Sequence, residues 1–284
     1  MRSFTQWMRH LLLFCAGKLL DLSQPKVMGI LNITPDSFSD GGDFLSLDLA
    51  MEQAQRMIEE GAAIIDVGGE STRPGARSVT ETEELDRVIP VIEGIAKSFS
   101  IPISIDTSKP HVMKAAVAAG AGLINDVQAL QAPEAIEVAA DLNVPVCLMH
   151  MQGKPRTMQQ NPCYSDVVSE VGAFLAQRVD RCITAGISRN HLLVDPGFGF
   201  GKSLNHNLAL LRNLQKIAEL GLPVLVGISR KSMLGSLLDE PAHRRVYGGL
   251  AGAVLAVERG ARIIRTHDVK PTVDTLAVTA AVSL

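Results

Sequence analysis

The chain has few aromatic residues, no excess of charge and no long apolar run. Aromatic residues make up 4% of its 284 positions, and the formal net charge at pH 7 is −3. This balance argues against a nucleic-acid partner. The lack of an apolar window of about 20 residues argues against a membrane span. With 46% hydrophobic residues, the composition favours a core of Ile, Leu, Val and Ala between parallel strands and helices.

Cysteine is also scarce, and its spacing carries no motif. The four cysteines are Cys15, Cys147, Cys163 and Cys182. No two of them have the spacing of a zinc site or a redox motif. The chain also lacks the HExxH motif of zinc proteases and the G-x-S-x-G motif of hydrolases. Unpaired cysteines are typical of a reducing compartment, so a cytoplasmic location is expected.

The first 20 residues only faintly imitate a secretion signal. Arg2 and Arg9 precede an apolar run at 11–17, but the run is short and Lys18 interrupts it. A signal peptide would need a longer run and a cleavage site. We therefore divide the chain into an extension, 1–20, and a catalytic domain, 21–284. The extension is interpreted as a product of an upstream start codon or as a segment that closes the bottom of the domain.

The chain does contain a repeated strand–helix unit. We predict eight strands, most of them continuous apolar runs, at 27–31, 63–68, 102–106, 122–126, 145–150, 191–195, 223–228 and 262–266. Glycines that would end the intervening helices are Gly61, Gly120, Gly186, Gly221 and Gly260. Residues 47–60 show the apolar face of an amphipathic helix. Eight such units predict an α/β fold, a single-domain (β/α)8 TIM barrel.

A doubly wound open sheet is the main alternative fold. It would need a Gly-rich nucleotide-binding turn after the first strand, and residues 32–36 form no such turn. The segment 196–203 approaches the phosphate loop G-x-x-x-x-G-K-[ST], but Pro196 occupies the first glycine position. An NTPase is therefore not expected.

Polar residues follow the predicted strands and should meet at one end of the barrel. Asp106 and Asn125 end neighbouring strands, and together they can bind a heterocycle that carries an amino group beside a ring N–H. Asp106 is an alternative N-cap for the next helix, although Ser108 fits that role better. The residue types suit a small, anionic, nitrogen-rich substrate.

Three further segments supply groups for an anion. Gly68 and Gly69 allow a ligand close to the backbone, and Ser71, Thr72 and Arg73 add hydrogen-bond donors. Asp66 and Glu70 have a simpler interpretation as internal partners within the barrel.

Lys231 precedes a predicted helix start after the seventh strand, where barrel enzymes often bind anions. Arg265 and His267 point to the same side of the last strand and suit a diphosphate. The role of His150, which also ends a strand, stays open between a structural hydrogen bond and contact with substrate.

Taken together, these segments resemble the dihydropteroate synthases. The motifs that carry the resemblance are residues 28–42, 68–75, 195–202, 229–232 and 265–268. The resemblance implies a TIM-barrel enzyme, expected as a homodimer, that joins 4-aminobenzoate to (7,8-dihydropterin-6-yl)methyl diphosphate and releases diphosphate. A magnesium ion is the implied cofactor, and the two small molecules are the implied partners.

The resemblance also implies a role for each site residue. Those that hold the pterin are Asp106, Asn125, Asp195 and Lys231. Those at the diphosphate end are Thr72, Arg265 and His267, and Asn32 helps to place the magnesium ion. Those that border the aminobenzoate pocket, where sulfonamides compete, are Phe38, Pro74, Phe200 and Ser232. The candidate catalytic residues are Asp106, Asp195, Lys231, Arg265 and His267.

Two other functions remain open at this point. A methyltetrahydrofolate-dependent methyl transferase would keep Asp106, Asn125 and Asp195, but it should lack the loop at 34–38 and the Arg265/His267 pair. The second is a barrel that binds pterins without catalysis, and only a measurement of turnover would distinguish it from a synthase.

Overall fold

Eight parallel strands close into a barrel in which each strand is hydrogen-bonded to two neighbours. The structure is a computed structural model that describes residues 11–33, 43–71, 78–155 and 157–283. The barrel strands are β3 (Lys26–Asn32), β4 (Ile64–Gly68), β5 (Ile103–Asp106), β6 (Leu123–Asp126), β7 (Val146–Met149), β8 (Leu192–Asp195), β9 (Val224–Val226) and β10 (Ala261–Thr266). Their order around the barrel is the chain order, with β10 pairing β3 to close it. The predicted (β/α)8 TIM barrel is confirmed.

Helices follow the barrel strands and cover the outside. They are α1 (Asp43–Glu59), α2 (Glu81–Ser98), α3 (Pro110–Ala118), α4 (Ala135–Leu142), α5 (Val167–Thr184), α6 (Leu204–Arg212), α7 (Leu214–Ala218), α8 (Ser232–Leu238), α9 (Val246–Glu258) and α10 (Val269–Ser283). In the described part of the chain, none of them has the length and apolar character needed to cross a bilayer.

The five glycines expected after helices all have positive φ, from +70° at Gly221 to +118° at Gly120. This left-handed conformation ends a helix at little steric cost only when the residue lacks a Cβ. The glycine positions therefore set where each of these helices turns back towards the barrel.

The helix after β5 begins differently from the prediction. Ser108 was expected to cap it, but the N-cap residue is Lys109, and no side chain makes the capping hydrogen bond. Pro110 occupies the first turn and brings no N–H that needs a partner. Ser108 instead hydrogen-bonds to Asp126 on the neighbouring strand. The expectation about Ser108 is wrong, whereas Asp106 is free of capping as expected.

A two-stranded hairpin lies against the amino-terminal end of the barrel. Its strands are β1 (Leu12–Cys15) and β2 (Lys18–Asp21), which pair antiparallel. Leu13, Cys15 and Leu20 are buried in one cluster with residues from the starts of the barrel strands, among them Met28, Ile64, Leu123, Cys147, Leu193, Leu225 and Ile263. A Cβ added at Gly122 would lie 2.3 Å from the carbonyl carbon of Cys15, so the hairpin touches the barrel backbone directly.

The hairpin thus covers the interior of the barrel at its amino-terminal end. The second strand of the hairpin crosses the predicted boundary between the extension, 1–20, and the domain, 21–284. That boundary stays a prediction. The larger core cluster fills the layer between the strands and the surrounding helices. Because one end of the barrel is covered and apolar, the polar strand ends open at the other.

The hairpin should contribute measurably to stability through Leu13. Leu13 is fully buried, and we expect Leu13→Ala to lower the free energy of unfolding by about 2–5 kcal/mol, since it leaves a cavity. Leu12→Ala is the matched control, because Leu12 is 41% exposed on the same strand, and a loss under about 0.5 kcal/mol is expected. Urea unfolding followed by circular dichroism measures both, and equal losses would contradict a covering role for the hairpin.

Candidate active site at the carboxyl end of the barrel

Polar side chains form a layer inside the barrel directly above the apolar cluster. Alternate residues of a strand face the same side, so a residue two positions after an inward apolar residue also points inward. The residues placed in this way are Asp66, Asn125, Asp195 and Arg265, which follow Ile64, Leu123, Leu193 and Ile263. All four are buried or half-buried. The alternation along each strand therefore places these four polar side chains in one layer above the apolar cluster.

Arg265 connects three strands across this layer. Its Nε donates to Asp66 Oδ2 at 2.6 Å, and its Nη2 donates to Asp106 Oδ2 at 2.8 Å. Asn125 Nδ2 also donates to Asp66 Oδ2, at 3.2 Å. The interpretation of Asp66 as an internal partner is consistent with these bonds. The guanidinium is held in place from two sides, and it offsets the charge of two buried carboxylates.

Burial changes the acidity of the carboxylates in this layer. It raises the pKa of Asp106 to about 7, helped by Asp66 and opposed by Arg265. It also raises the pKa of Asp195 above its usual range, although Lys231 opposes that shift. Desolvation favours the neutral form of a carboxyl group, and a nearby cation favours the charged form. Asp106 is thus poised to exchange a proton near neutral pH.

Lys231 lies at the end of the segment that follows β9. Its Nζ donates to the carbonyl of Phe198 and lies 4.5 Å from the centre of the Phe200 ring. Burial lowers the pKa of Lys231 to about 8, and the carboxylate of Asp195 opposes this change. The ammonium therefore shares its surroundings with the Gly-rich loop after β8 and with Asp195.

The end of β10 brings His267 next to Ser229. The Ser229 hydroxyl lies 3.1 Å from His267 Nδ1, and the backbone N–H of His267 donates to the same hydroxyl at 3.2 Å. Arg230 forms an ion pair with Asp268 at 2.5 Å. These contacts tie the last two barrel strands together at the mouth and hold His267 in a defined position.

The remaining candidates occupy the rim of the mouth. Asn32 is half-buried at the end of β3, where its Cα pairs with that of Gly68. Phe200 is half-buried beside Lys231, and Ser232 is exposed in the first turn of α8. The candidates that lie outside the described residues are Phe38, Thr72, Arg73 and Pro74.

Comparison with known proteins agrees with this geometry. Residues 28–267 match the family model described as "Pterin binding enzyme". The dihydropteroate synthase of Haemophilus influenzae is 56% identical over 266 residues, which is 94% of this chain and 97% of that protein. The chain is a member of the dihydropteroate synthase family. It is accordingly a transferase enzyme.

Solved structures of other dihydropteroate synthases share the fold. The Xanthomonas albilineans enzyme with 4-aminobenzoic acid gives a TM-score of 0.92 at 53% identity, covering 96% of this chain and 98% of that one. The Yersinia pestis enzyme in a sulfonamide drug complex gives a TM-score of 0.92 at 54% identity, covering 96% of this chain and 99% of that one. The similarity is therefore one of the whole barrel and its mouth.

Sequence reasoning missed a buried lysine next to the Gly-rich loop after β8. Lys202 is 3% exposed, and its Nζ lies 2.9 Å from His150 Nδ1 and donates to Gly197 O at 2.9 Å and Phe200 O at 3.0 Å. The sequence shows only a lysine after a Gly-rich loop, which is ordinarily a surface charge. The same contact gives His150 a structural hydrogen bond, one of the two roles left open for it.

A second missed group lies beside the loop after β4. Glu84 is 1% exposed, and both Glu84 and Glu70 accept hydrogen bonds from Lys109 Nζ. Glu70 also accepts a hydrogen bond from the backbone N–H of Val79 at 3.3 Å, which links two positions nine residues apart. The position of Glu84 on a helical face gave no indication that it meets a lysine from the next unit.

The acidity of Asp106 predicts a pH-dependent stability. Since its pKa is raised to about 7 in the folded protein, from a usual 3.8, the folded state holds a proton that the unfolded state has lost between those values. The stabilisation by Asp106 is therefore present below about pH 4 and is lost as the pH rises through about 7. Relative to Asp106→Asn, the native protein should lose up to about 1.4 kcal/mol per pH unit in that window.

Urea unfolding at several pH values between 4.5 and 7.5 measures this difference. Asp180→Asn, at an exposed position of α5, serves as the control and should run parallel to the native protein. A constant difference between Asp106→Asn and the native protein across the window would show that the acidity of Asp106 is ordinary.

Proposed function

We propose that the chain joins 4-aminobenzoate to the methylene carbon of (7,8-dihydropterin-6-yl)methyl diphosphate, giving 7,8-dihydropteroate and diphosphate. The observation that carries this proposal is the single buried layer in which Arg265 bridges Asp66 and Asp106 beside Asn125. The membership in the dihydropteroate synthases and the Xanthomonas albilineans structure with 4-aminobenzoic acid support the same substrates.

The proposed pterin site uses polar side chains that are buried or half-buried at this end of the barrel. A pterin presents an amino group, ring nitrogens and a carbonyl on one edge, so it needs both donors and acceptors. Asp106 and Asp195 accept when ionised, Asn125 does both, and Lys231 donates. The burial of these groups strengthens each hydrogen bond, because little water competes for them.

The proposed reaction transfers the pterin methylene from oxygen to nitrogen. The bond between that carbon and the diphosphate oxygen breaks, the electron pair leaves with diphosphate, and the amine nitrogen forms the new bond and loses a proton. A pterin cation formed on the way is stabilised by the nearby carboxylates of Asp106 and Asp195. The arylamine is uncharged at neutral pH, so no strong base is required.

The leaving diphosphate needs positive charge where its own charge grows. We assign this role to Arg265 near the end of β10, to His267 directly after that strand, and to Thr72, which follows β4 in the sequence. Arg265 is already held by Asp66 and Asp106, so its position is fixed before a substrate arrives. This preorganisation avoids a cost of reorientation during the reaction.

A magnesium ion fits the proposed chemistry. Among the described residues no group of three or more His, Cys, Asp or Glu could hold a metal ion. Magnesium commonly takes only one or two protein oxygens and completes its shell with water and substrate phosphates. The carboxamide oxygen of Asn32 at the end of β3 suits that pattern. When bound, the ion would supply charge neutralisation on the diphosphate oxygens.

The proposed pocket for 4-aminobenzoate lies at the rim of the mouth. Phe200 offers a ring face, and the exposed Ser232 hydroxyl in the first turn of α8 suits a carboxylate near the helix start. The proposed border also includes Phe38 and Pro74, which follow β3 and β4 in the sequence. The Yersinia pestis enzyme with a sulfonamide drug supports the expectation that sulfonamides compete here.

We also propose a homodimer that pairs α9 and α10 with the same helices of a second copy. Tyr247 is 84% exposed, and Leu255, further along α9, is 39% exposed. Val278 and Val282 on α10 are 67% and 82% exposed. Exposed apolar side chains on two packed helices are typical of a surface that is covered by a partner.

The proposed location is the cytoplasm. The four cysteines are all free, and Cys15, Cys147 and Cys182 are buried, where burial raises the pKa of each thiol. Buried neutral thiols behave as small apolar side chains and match a reducing compartment.

Turnover tests the proposed function. Purified protein should release diphosphate only when the pterin diphosphate, 4-aminobenzoate and Mg²⁺ are all present, since attack by the amine must trap the cation. Diphosphate release is measured by a coupled assay, and the pteroate product by mass spectrometry. Release without the arylamine, or none from folded protein, would count against the synthase.

The proposed division between pterin and diphosphate sites can be tested at Arg265. Arg265→Ala should weaken binding of the pterin diphosphate by about tenfold or more and binding of the hydroxymethyl pterin by less, since a phosphate partner is lost. Calorimetry measures both constants. Arg262→Ala, on the same strand but towards its other end, is the control and should leave both unchanged. Equal losses for the two ligands in Arg265→Ala would contradict the assignment.

A further inference from the structure

The loop after β8 is held by its carbonyl groups. Five consecutive carbonyls, from Gly197 to Gly201, each accept a side-chain hydrogen bond. The donors are Lys202 Nζ to Gly197 O and Phe200 O, Lys231 Nζ to Phe198 O, Gln159 Nε2 to Gly199 O and Tyr164 Oη to Gly201 O. Within this loop one backbone N–H bonds a carbonyl, that of Phe200 to Gly197, so side chains fix most of its conformation.

The backbone of this loop adopts a shape that only small residues permit. Gly197, Gly199 and Gly201 all have positive φ, between +63° and +78°. A Cβ at Gly197 would lie 1.9 Å from the carbonyl oxygen of His150, and one at Gly199 would lie 3.2 Å from Cδ of Lys231. The loop is thus packed between His150 on one side and Lys231 on the other.

Lys202 donates two of these five hydrogen bonds, and each of the other three side chains donates one. Besides the two carbonyls, its Nζ contacts His150 Nδ1 at 2.9 Å and His150 O at 3.3 Å. Burial, with the charge of Lys231, lowers the pKa of Lys202 to about 7, and Asp195 opposes the shift. Burying an ammonium is costly unless its protons are all bonded, and here four acceptors surround three protons.

We propose that Lys202 is a positioning residue that fixes Lys231 through the loop they share. Lys202 holds the carbonyls of Gly197 and Phe200 from the side of His150, and Lys231 bonds the carbonyl of Phe198 that lies between them. The Phe200 ring then covers the Lys231 ammonium. The direction of the Lys231 ammonium at the mouth follows from where Lys202 places this loop. This inference rests on the proposed role of Lys231 in pterin binding.

His150 completes the arrangement. When Lys202 is charged, its ammonium has no lone pair, so Nδ1 of His150 accepts and the ring proton lies on Nε2. Burial, with the charge of Lys202, lowers the pKa of His150 to about 3, which keeps the ring neutral. The His150 ring packs edge-on against the Phe174 ring, with 4.9 Å between the two ring centroids. Its orientation is therefore fixed from both sides, and it serves Lys202 rather than a substrate.

Hydrogen exchange and steady-state kinetics together test this role. Lys202→Met keeps the length of the side chain but removes the ammonium, so amide exchange in a peptide spanning 196–203 should quicken by about tenfold or more. The KM for the pterin diphosphate should rise about fivefold or more with kcat changed less than about twofold, which is the pattern of lost binding. Lys202→Arg retains donors and charge and should recover part of both effects.

Two further variants make the outcome decisive. Lys216→Met, at an exposed position of α7, should leave exchange and kinetics unchanged. If Lys202→Met does not fold, His150→Leu removes one acceptor and should give smaller changes in the same direction.

Unchanged exchange in the loop would overturn the proposal, and so would faster exchange with an unchanged KM, because Lys202 would then be only structural. If the native protein shows no turnover, the proposed function fails, while the exchange result still reports on the loop.

Discussion

The guanidinium of Arg265 between Asp66 and Asp106 is the contact on which the barrel mouth depends. Two buried carboxylates from β4 and β5 meet the half-buried guanidinium from β10 there, and the cation offsets their charge. Two carboxylates against one guanidinium leave a surplus of negative charge when both are ionised. Such a site favours a ligand that carries or develops positive charge.

A second charged unit surrounds the loop after β8. Lys231 and Lys202 approach the same Gly-rich loop from its two faces, and Asp195 is the carboxylate that opposes the pKa shift of each. The loop has almost no backbone hydrogen bonds of its own, so these side chains decide its shape. The mouth therefore consists of two preorganised charge arrangements, one on the strands and one on a loop, with the polar Asn125 near the first.

Part of this architecture could be predicted from residues alone. Strands buried on both faces are continuous apolar runs, and the eight predicted strands agree with the structure to within two residues at each end. The first segment escaped the same reasoning, because Leu12 and Phe14 face outward while Leu13 and Cys15 face inward in a four-residue strand. A run so short and apolar does not reveal alternation. Ser108 was misjudged because a proline in the first turn reduces the need for a cap.

The sequence by itself determined the repeat, the strand ends and the identity of the polar groups there, because periodicity and residue type are local properties. The tertiary structure alone decided that Asp66 joins Arg265, that Lys202 is buried and that Glu84 meets Lys109. Glu84 and Lys109 lie 25 positions apart, Lys202 and His150 lie 52 apart, and Asp66 and Arg265 lie 199 apart. Contacts over such separations exist only after the barrel closes, because closure brings distant strand ends within reach of one another.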